Sequence, residues 1–172
     1  MQRTTSLAAA PAASTPSLAA SARRWAKRAL ATDGDVTPAI ARVALGLVMF
    51  PHGAQKALGW FGGHGLGATY NAFTTMMGIP GPLAALAIAT ELLGALALVF
   101  GVGSRLAALG MIGLMLTAIG MVHLPNGFFM NWTGAQPGEG FEFHLLVLAL
   151  AAIVVVKGGG KASLDRLLSS KA

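Results

Sequence analysis

Four apolar stretches, separated by polar loops, dominate the chain from residue 37 onward. They cover residues 37–58, 83–100, 106–124 and 141–156. Each has close to the roughly 17 to 20 residues with which an α-helix crosses the hydrocarbon core of a bilayer. The first stretch is the most polar of the four, because it contains two basic residues, a histidine and a glutamine. The pattern predicts an all-α protein built as a four-helix transmembrane bundle.

The loops between these stretches differ in charge. Lys and Arg residues precede the first stretch, occur between the second and third, and follow the fourth, whereas residues 59–82 and 125–140 contain none. Because cytoplasmic loops of membrane proteins are enriched in Lys and Arg, this predicts cytoplasmic termini and two outer loops. Within the first outer loop, residues 67–77 are predicted to form a short interfacial helix that ends at Gly78.

The two ends of the chain differ from its centre in composition. Residues 1–36 are rich in Ala, Ser, Thr and Pro, which predicts a disordered, basic, cytoplasmic tail. This tail is either solvated or forms a short helix on anionic lipid. Residues 37–168 are the predicted membrane domain, which ends in a short amphipathic helix with Ser163 as N-cap. The basic residues of the tail cluster at Arg23, Arg24, Lys27 and Arg28.

The overall composition indicates a membrane protein and excludes several other classes. Of the 172 residues, 55% are hydrophobic and 10% are charged, with a mean hydropathy of +0.67. Soluble domains carry roughly 25% charged residues, so this chain has too few to cover a soluble surface. Its net charge of +6 lies at the ends of the apolar stretches and forms no basic stripe for nucleic acid. Without cysteine, the chain cannot perform thiol–disulfide chemistry or hold an iron–sulfur cluster.

Eight polar side chains lie inside the apolar stretches or at their ends, mostly in the predicted outer half. Ionisable groups in a bilayer are costly, and they normally face a helix interface or an aqueous cavity. We therefore expect these residues to surround one outward-facing pocket. They are His52, Gln55 and Lys56 in the first stretch, Glu91 in the second, His123 and Asn126 at the end of the third, and Glu142 and His144 at the start of the fourth.

The residue types in this set predict two kinds of role. His52, Glu91 and His123 are the catalytic candidates, since His and Glu at neighbouring depths can relay a proton. The other five are candidates for binding the substrate, with Lys56 able to hold an anionic or quinone oxygen. The alternative is structural, with Glu91 paired to Lys56 or His52 to hold the helices together. In the same alternative, Glu142 and His144 are hydrated groups at the start of a helix, where a carboxylate interacts favourably with the helix dipole.

Other charged and metal-binding patterns are less informative. No His-x-x-His or Glu-x-x-His pair occurs, so no metal site is predicted. Haem ligation by His52 and His123 is disfavoured, because their predicted depths differ. Arg42, near the inner end of the first stretch, is expected to extend its side chain to the membrane surface.

Four motifs occur along the chain in a recognisable order. They are "PHGAQKALGWFGG", "IATELLGALAL", "VHLPNGFF" and "SLDRLL". With this order and spacing, residues 38–168 resemble the DoxX family of small four-helix bacterial membrane proteins. The recognisable positions include His52, Lys56, Glu91 and residues 123–129.

The resemblance implies a multi-pass protein of the bacterial cytoplasmic (inner) membrane. Some members of the family are subunits of a thiosulfate:quinone oxidoreductase, and others are linked to a sulfurtransferase and a superoxide dismutase in a complex that defends against oxidants. Three functions are therefore open: a membrane subunit of a redox complex that handles quinone or protons, a non-enzymatic anchor or assembly subunit, and a small-molecule carrier. Quinone is the one cofactor suggested, and catalysis by the chain alone, the substrate and the oligomeric state stay open.

Overall fold

All regular secondary structure in the described part of the chain is helical. The structure is a computed structural model that describes residues 17–18, 30–32 and 34–170. These residues form six helices and no strand, which confirms the all-α prediction. The predicted disordered tail and its basic cluster lie mainly outside the described residues. In chain order the helices are α1 (Thr37–Leu58), α2 (Gly65–Asn71, continued by a π-helical turn over Ala72–Met76), α3 (Gly81–Phe100), α4 (Ser104–Asn126), α5 (Glu142–Lys157) and α6 (Leu164–Ser169).

The four longest helices coincide with the four apolar stretches. The bounds of α1 agree with the prediction, and the ends of α3, α4 and α5 differ from it by at most two residues. Among the described residues, α3 and α4 are the two helices long and apolar enough to cross a membrane by length and composition. Helix α1 has 22 residues but is more polar, and α5 has 16 residues. A crossing by all four helices therefore stays a prediction.

The start and end of α1 follow from local sequence. Asp35 Oδ1 accepts hydrogen bonds from the backbone N–H of Thr37 at 3.0 Å and from its hydroxyl at 3.1 Å. The backbone hydrogen bond is the main reason that the pKa of Asp35 lies below its ordinary value. Pro38 follows in the first turn, where a missing N–H loses no helical hydrogen bond. The helix ends at Gly59, whose φ of 73° is a left-handed conformation that glycine adopts readily.

The four long helices pack around one apolar core. Helix α1 contacts α3 and α5, and α4 contacts the same two helices. The approach of α1 to α3 depends on glycine, because a Cβ on Gly53 would lie 2.6 Å from Leu92 Cα. Similarly, a Cβ on Gly46 would lie 2.7 Å from the carbonyl oxygen of Ala95. Small residues at these positions allow the two backbones to touch. The core residues are Ala41, Leu45, Met49, Ala95, Leu98, Ala108, Met111, Met115, Val147, Ala151 and Val154.

Three π-helical turns occur in the described residues. They lie at Ala72–Met76 after α2, at Thr90–Gly94 within α3 and at Ile119–His123 near the end of α4. A π-helical turn changes the register of the side chains that follow it, and such turns are frequent at functional sites. Two of the three contain residues of the predicted pocket, Glu91 and His123. Apolar periodicity alone does not predict these turns.

Two buried charged residues tie α6 to the adjacent ends of α3 and α4. Arg42 is 2% exposed, and its guanidinium donates hydrogen bonds to carbonyls in the last turn of α3 and in the segment between α5 and α6. The prediction that Arg42 extends to the membrane surface is wrong. These carbonyls lack helical partners, so they accept from the guanidinium and hold the side chain inside. Asp165, also 2% exposed, accepts from two backbone N–H groups at the start of α4. As predicted, Ser163 is the N-cap of α6 and accepts from the N–H of Arg166 at 3.2 Å.

Candidate functional site

An ion pair joins the last turn of α1 to the π-helical turn of α3. Lys56 Nζ lies 2.7 Å from Glu91 Oε1, and the two side chains are 31% and 6% exposed. Gly53, three residues before Lys56, packs directly against the backbone of Glu91 and Leu92. The missing side chain at Gly53 therefore allows the approach that brings the two charges together. A buried carboxylate needs such a partner, because desolvation of an unpaired charge costs several kcal/mol.

The ion pair lines a cavity with a volume of about 460 Å³ between the helices. His52, His123 and His144 line the same cavity, so five of the eight predicted site residues meet there. This volume lies within the range of small-molecule sites, roughly 300 to 1,000 Å³. The other lining residues are Met49, Phe73, Met77, Ile79, Ala87, Leu114, Met115, Thr117, Ala118, Met121, Val122, Met130, Glu139 and Phe143.

Two of the histidines form a close pair between the end of α4 and the start of α5. The ring centroids of His123 and His144 are 4.1 Å apart. His123 Nδ1 lies 2.9 Å from the carbonyl oxygen of Glu139, which accepts a hydrogen bond from it. His144 is 6% exposed, and its Nδ1 has no hydrogen-bond partner among the described residues. The ring of Phe143 contacts both His144 and His52, with centroid distances of 5.7 and 5.8 Å.

The three remaining residues of the predicted set, Gln55, Asn126 and Glu142, do not line the cavity. Instead, they hold the two predicted outer loops. Gln55 Nε2 donates to the carbonyl oxygen of Phe61 at 3.2 Å. Asn126 Nδ2 donates to the Glu139 carbonyl at 3.1 Å. Glu142 Oε1 accepts from the backbone N–H of Met130 at 3.0 Å and from Trp132 Nε1 at 3.2 Å.

Sequence analysis missed two features of this cavity. The first is Glu139, which lines the cavity and orients His123 through its backbone carbonyl. Because a backbone group makes this contact, the residue type at position 139 does not predict it. The second is a concentration of thioethers, because five of the eight methionines of the chain line the cavity. Methionine at helical spacing is typical of an apolar core, so the sequence pattern did not distinguish these residues. They are Met49, Met77, Met115, Met121 and Met130.

A second groove, whose lining residues include no ionisable side chain, adjoins the cavity that holds the ion pair and the histidines, which we call the polar cavity. It has a volume of about 880 Å³ and runs along α3 and α4. The groove and the polar cavity share the lining residues Ile79, Ala87, Leu114, Thr117 and Met121. The two spaces therefore meet between α3 and α4.

Metal ligands of the hard and borderline types are sparse in the part of the chain that the structure describes. No three His, Asp or Glu side chains within it are grouped closely enough to hold a metal ion together. At the cavity, His123 and His144 are two such ligands whose rings are in contact.

The apolar helices, with the ion pair and three histidines around one cavity, define a small helical membrane protein. The family model of DoxX matches residues 37–124, about half of the chain. The chain belongs to the DoxX family. No curated protein and no solved structure matches it. The matched range includes His52, Lys56, Glu91 and His123, whereas His144 lies beyond it.

Proposed function

We propose that this protein is an integral membrane subunit of a quinone-linked or oxidant-defence redox complex, and that its polar cavity handles quinone or protons. The observation that carries the proposal is the grouping of the Lys56–Glu91 pair with three histidines around one cavity. Ionisable residues inside a membrane protein are expensive to bury and mark functional sites by default. Membership of the DoxX family supports the same class of function.

The proposed topology has four membrane-spanning helices, with both termini in the cytoplasm of a bacterium and the cavity toward the outer side. The surface of α1 and α5 supports four crossings, because both carry large apolar side chains that no protein contact covers. Leu47 is 58% exposed and Leu146 is 67% exposed, like Leu86 and Leu109 on α3 and α4. Side chains of this kind suit contact with lipid. The distribution of Lys and Arg supports the orientation.

The chemistry of the cavity suits proton handling. His52 and Glu91 are groups that accept and release protons, and Lys56 holds the carboxylate at hydrogen-bond distance. The residues present also fit a quinone. Lys56 can donate a hydrogen bond to a carbonyl oxygen in the cavity, and the adjoining groove can take an apolar chain. A bound quinone would supply two-electron redox chemistry, while the chain itself would bind, orient and exchange protons.

One observation favours a second function, that of an anchor or assembly subunit without chemistry. The Lys56–Glu91 pair forms beside Gly53, where the backbones of α1 and α3 approach closely. Interhelical polar pairs of this kind also hold membrane helices together. In that function the cavity would be a by-product of packing.

The experiment compares cavity variants in a strain from which the gene has been deleted. Quinone reduction by isolated membranes and survival of oxidant stress should fall in the deletion strain and return with the unaltered gene. Glu91→Gln and His52→Ala should abolish both activities while the protein still accumulates in the membrane. His64→Ala is the matched control, because His64 lies in the loop after α1 and does not line the cavity. Full activity of both cavity variants, or an unaffected deletion strain, would contradict the proposal, whereas loss of the protein itself would favour the anchor.

The proposed partners are peripheral or membrane redox subunits of the sulfurtransferase or superoxide dismutase type. Purification of the tagged chain from its own membranes in mild detergent should retain such a subunit. Recovery of the chain alone, or only with copies of itself, would contradict this part of the proposal.

A further inference from the structure

The cavity concentrates ligands for soft metal ions. Three of the four histidines and five of the eight methionines of the chain line it. Imidazole and thioether are both metal ligands, and the thioether sulfur selects soft ions. The cavity thus contains more potential metal ligands than its His and Glu residues alone.

His123 is oriented as metal-binding histidines are. Its Nδ1–H donates to the backbone carbonyl of Glu139 at 2.9 Å, which leaves a lone pair on Nε2. Histidines that bind metals almost always donate their other ring N–H to a carbonyl, a carboxylate or water, because this fixes the tautomer and the ring orientation. Asn126 donates to the same carbonyl oxygen and fixes that acceptor in place.

His144 supplies the second, independent observation. It is 6% exposed, lies against the ring of His123 and lines the cavity, yet its Nδ1 has no hydrogen-bond partner among the described residues. That nitrogen is fully buried, so Nε2 is the ring nitrogen of His144 that can face the cavity. A metal ion at the cavity wall would bind the lone pair of this Nε2.

The burial of the methionines separates core residues from potential ligands. Met49 and Met115 are 1% and 4% exposed and belong to the apolar core. Met77, Met121 and Met130 line the cavity without belonging to that core. These three flexible thioethers line the same cavity as the histidine pair.

We propose that His123 and His144, with one or more of these three thioethers, bind a single Cu(I) ion. The ligand set identifies the metal. Zinc sites need three or four nitrogen, thiolate or carboxylate ligands, and no third such group joins the histidines among the described residues. Two neutral imidazoles completed by thioether sulfur suit a soft monovalent ion, of which Cu(I) is the common biological case.

The test measures Cu(I) binding by the purified full-length protein in detergent, with ascorbate as reductant and bathocuproine disulfonate as the competing chromophoric chelator. One Cu(I) per chain is expected. His144→Ala and the near-isosteric triple variant Met77→Leu/Met121→Leu/Met130→Leu should each weaken binding at least about 10-fold. X-ray absorption of the copper-loaded protein should show a sulfur neighbour that disappears in the triple variant.

The controls are matched in residue type. Met76→Leu changes an 83% exposed methionine beside Met77 that does not line the cavity, and His64→Ala changes the histidine outside it. Both should bind Cu(I) like the unaltered chain, and Zn(II) should bind that chain far more weakly than Cu(I). Absence of Cu(I) binding, or equal binding by the triple variant while it elutes as a folded protein, would overturn the proposal. Zinc binding of equal strength would overturn the assignment of the metal.

Discussion

The Lys56–Glu91 pair gives a quantitative prediction about how α1 is held against α3. Lys56→Met leaves a carboxylate that is 6% exposed without its cationic partner. Breaking a buried pair in this way typically costs about 3 kcal/mol or more. Glu91→Gln leaves Lys56, whose side chain is 31% exposed and reaches water more easily. We expect this second change to cost less, about 1 kcal/mol, as for a partly exposed pair.

The coupling free energy between the two residues follows from the geometry. Two unit charges 4 Å apart attract by about 4 kcal/mol at an effective dielectric constant of about 20. The observed separation is 2.7 Å, but the partial exposure of Lys56 screens the attraction. Ordering of the long lysine side chain offsets a further part. We therefore expect a net coupling of about 1 to 3 kcal/mol, within the range of roughly 0.5 to 3 kcal/mol for residues in direct contact.

The assay is a double-mutant cycle on the free energy of unfolding. Purified protein is unfolded with SDS in mixed micelles, and the fluorescence of its three tryptophans follows the transition. The double variant Lys56→Met/Glu91→Gln should lose less stability than the sum of the two single variants, by the coupling free energy. A coupling below about 0.5 kcal/mol, the limit for independent sites, would refute the view that this contact links the helices.

Three further predictions test the packing, the capping and the orientation. Gly53→Ala should lower the free energy of unfolding by about 2 kcal/mol, because the added methyl group would clash with α3. The control Gly113→Ala has open space around it and should be neutral or raise that free energy by up to about 1 kcal/mol. Equal effects would contradict the close approach. Ser163→Ala should cost about 1 kcal/mol in the same assay, and no loss would contradict the N-cap. The chain has no cysteine, so a single introduced cysteine reports the side of the membrane on which it lies. An impermeant maleimide should label Thr133→Cys in intact spheroplasts and Ser169→Cys only after permeabilisation. The reverse pattern would contradict the orientation.

The helices were predictable because their signals are local. The predicted helix ends lie within two residues of the observed ones. They follow from the length of each apolar stretch, from glycine and proline residues at helix ends and from the N-cap serine. The burial of Arg42 was not predictable, because its partners are backbone carbonyls more than 50 residues away in sequence. Charged side chains near a predicted helix end normally extend to water. Arg42 does not, because the fold places these distant carbonyls around its guanidinium.

The candidate site was predictable only in part. Burial cost indicates that Lys56, Glu91 and the histidines avoid lipid, and the structure brings them together around one cavity. The same rule groups Gln55 with them, whereas in the structure the side-chain amide of Gln55 donates to the carbonyl of Phe61 in its own loop. The π-helical turn that presents Glu91 has no sequence signature, since it changes register without changing composition.

If the polar cavity carries the function, a substitution that fills the cavity without removing a polar group should abolish that function. Ala118 lines the cavity on α4, whereas Leu116 on the same helix is 56% exposed and lines neither the cavity nor the apolar groove. The measurement is the rate of quinone reduction by membranes of the deletion strain, at matched protein levels. We predict that Ala118→Phe abolishes the rate that the gene restores and that Leu116→Phe retains it. Equal, undiminished rates for both variants would contradict a functional cavity and leave the ion pair and histidines as packing contacts.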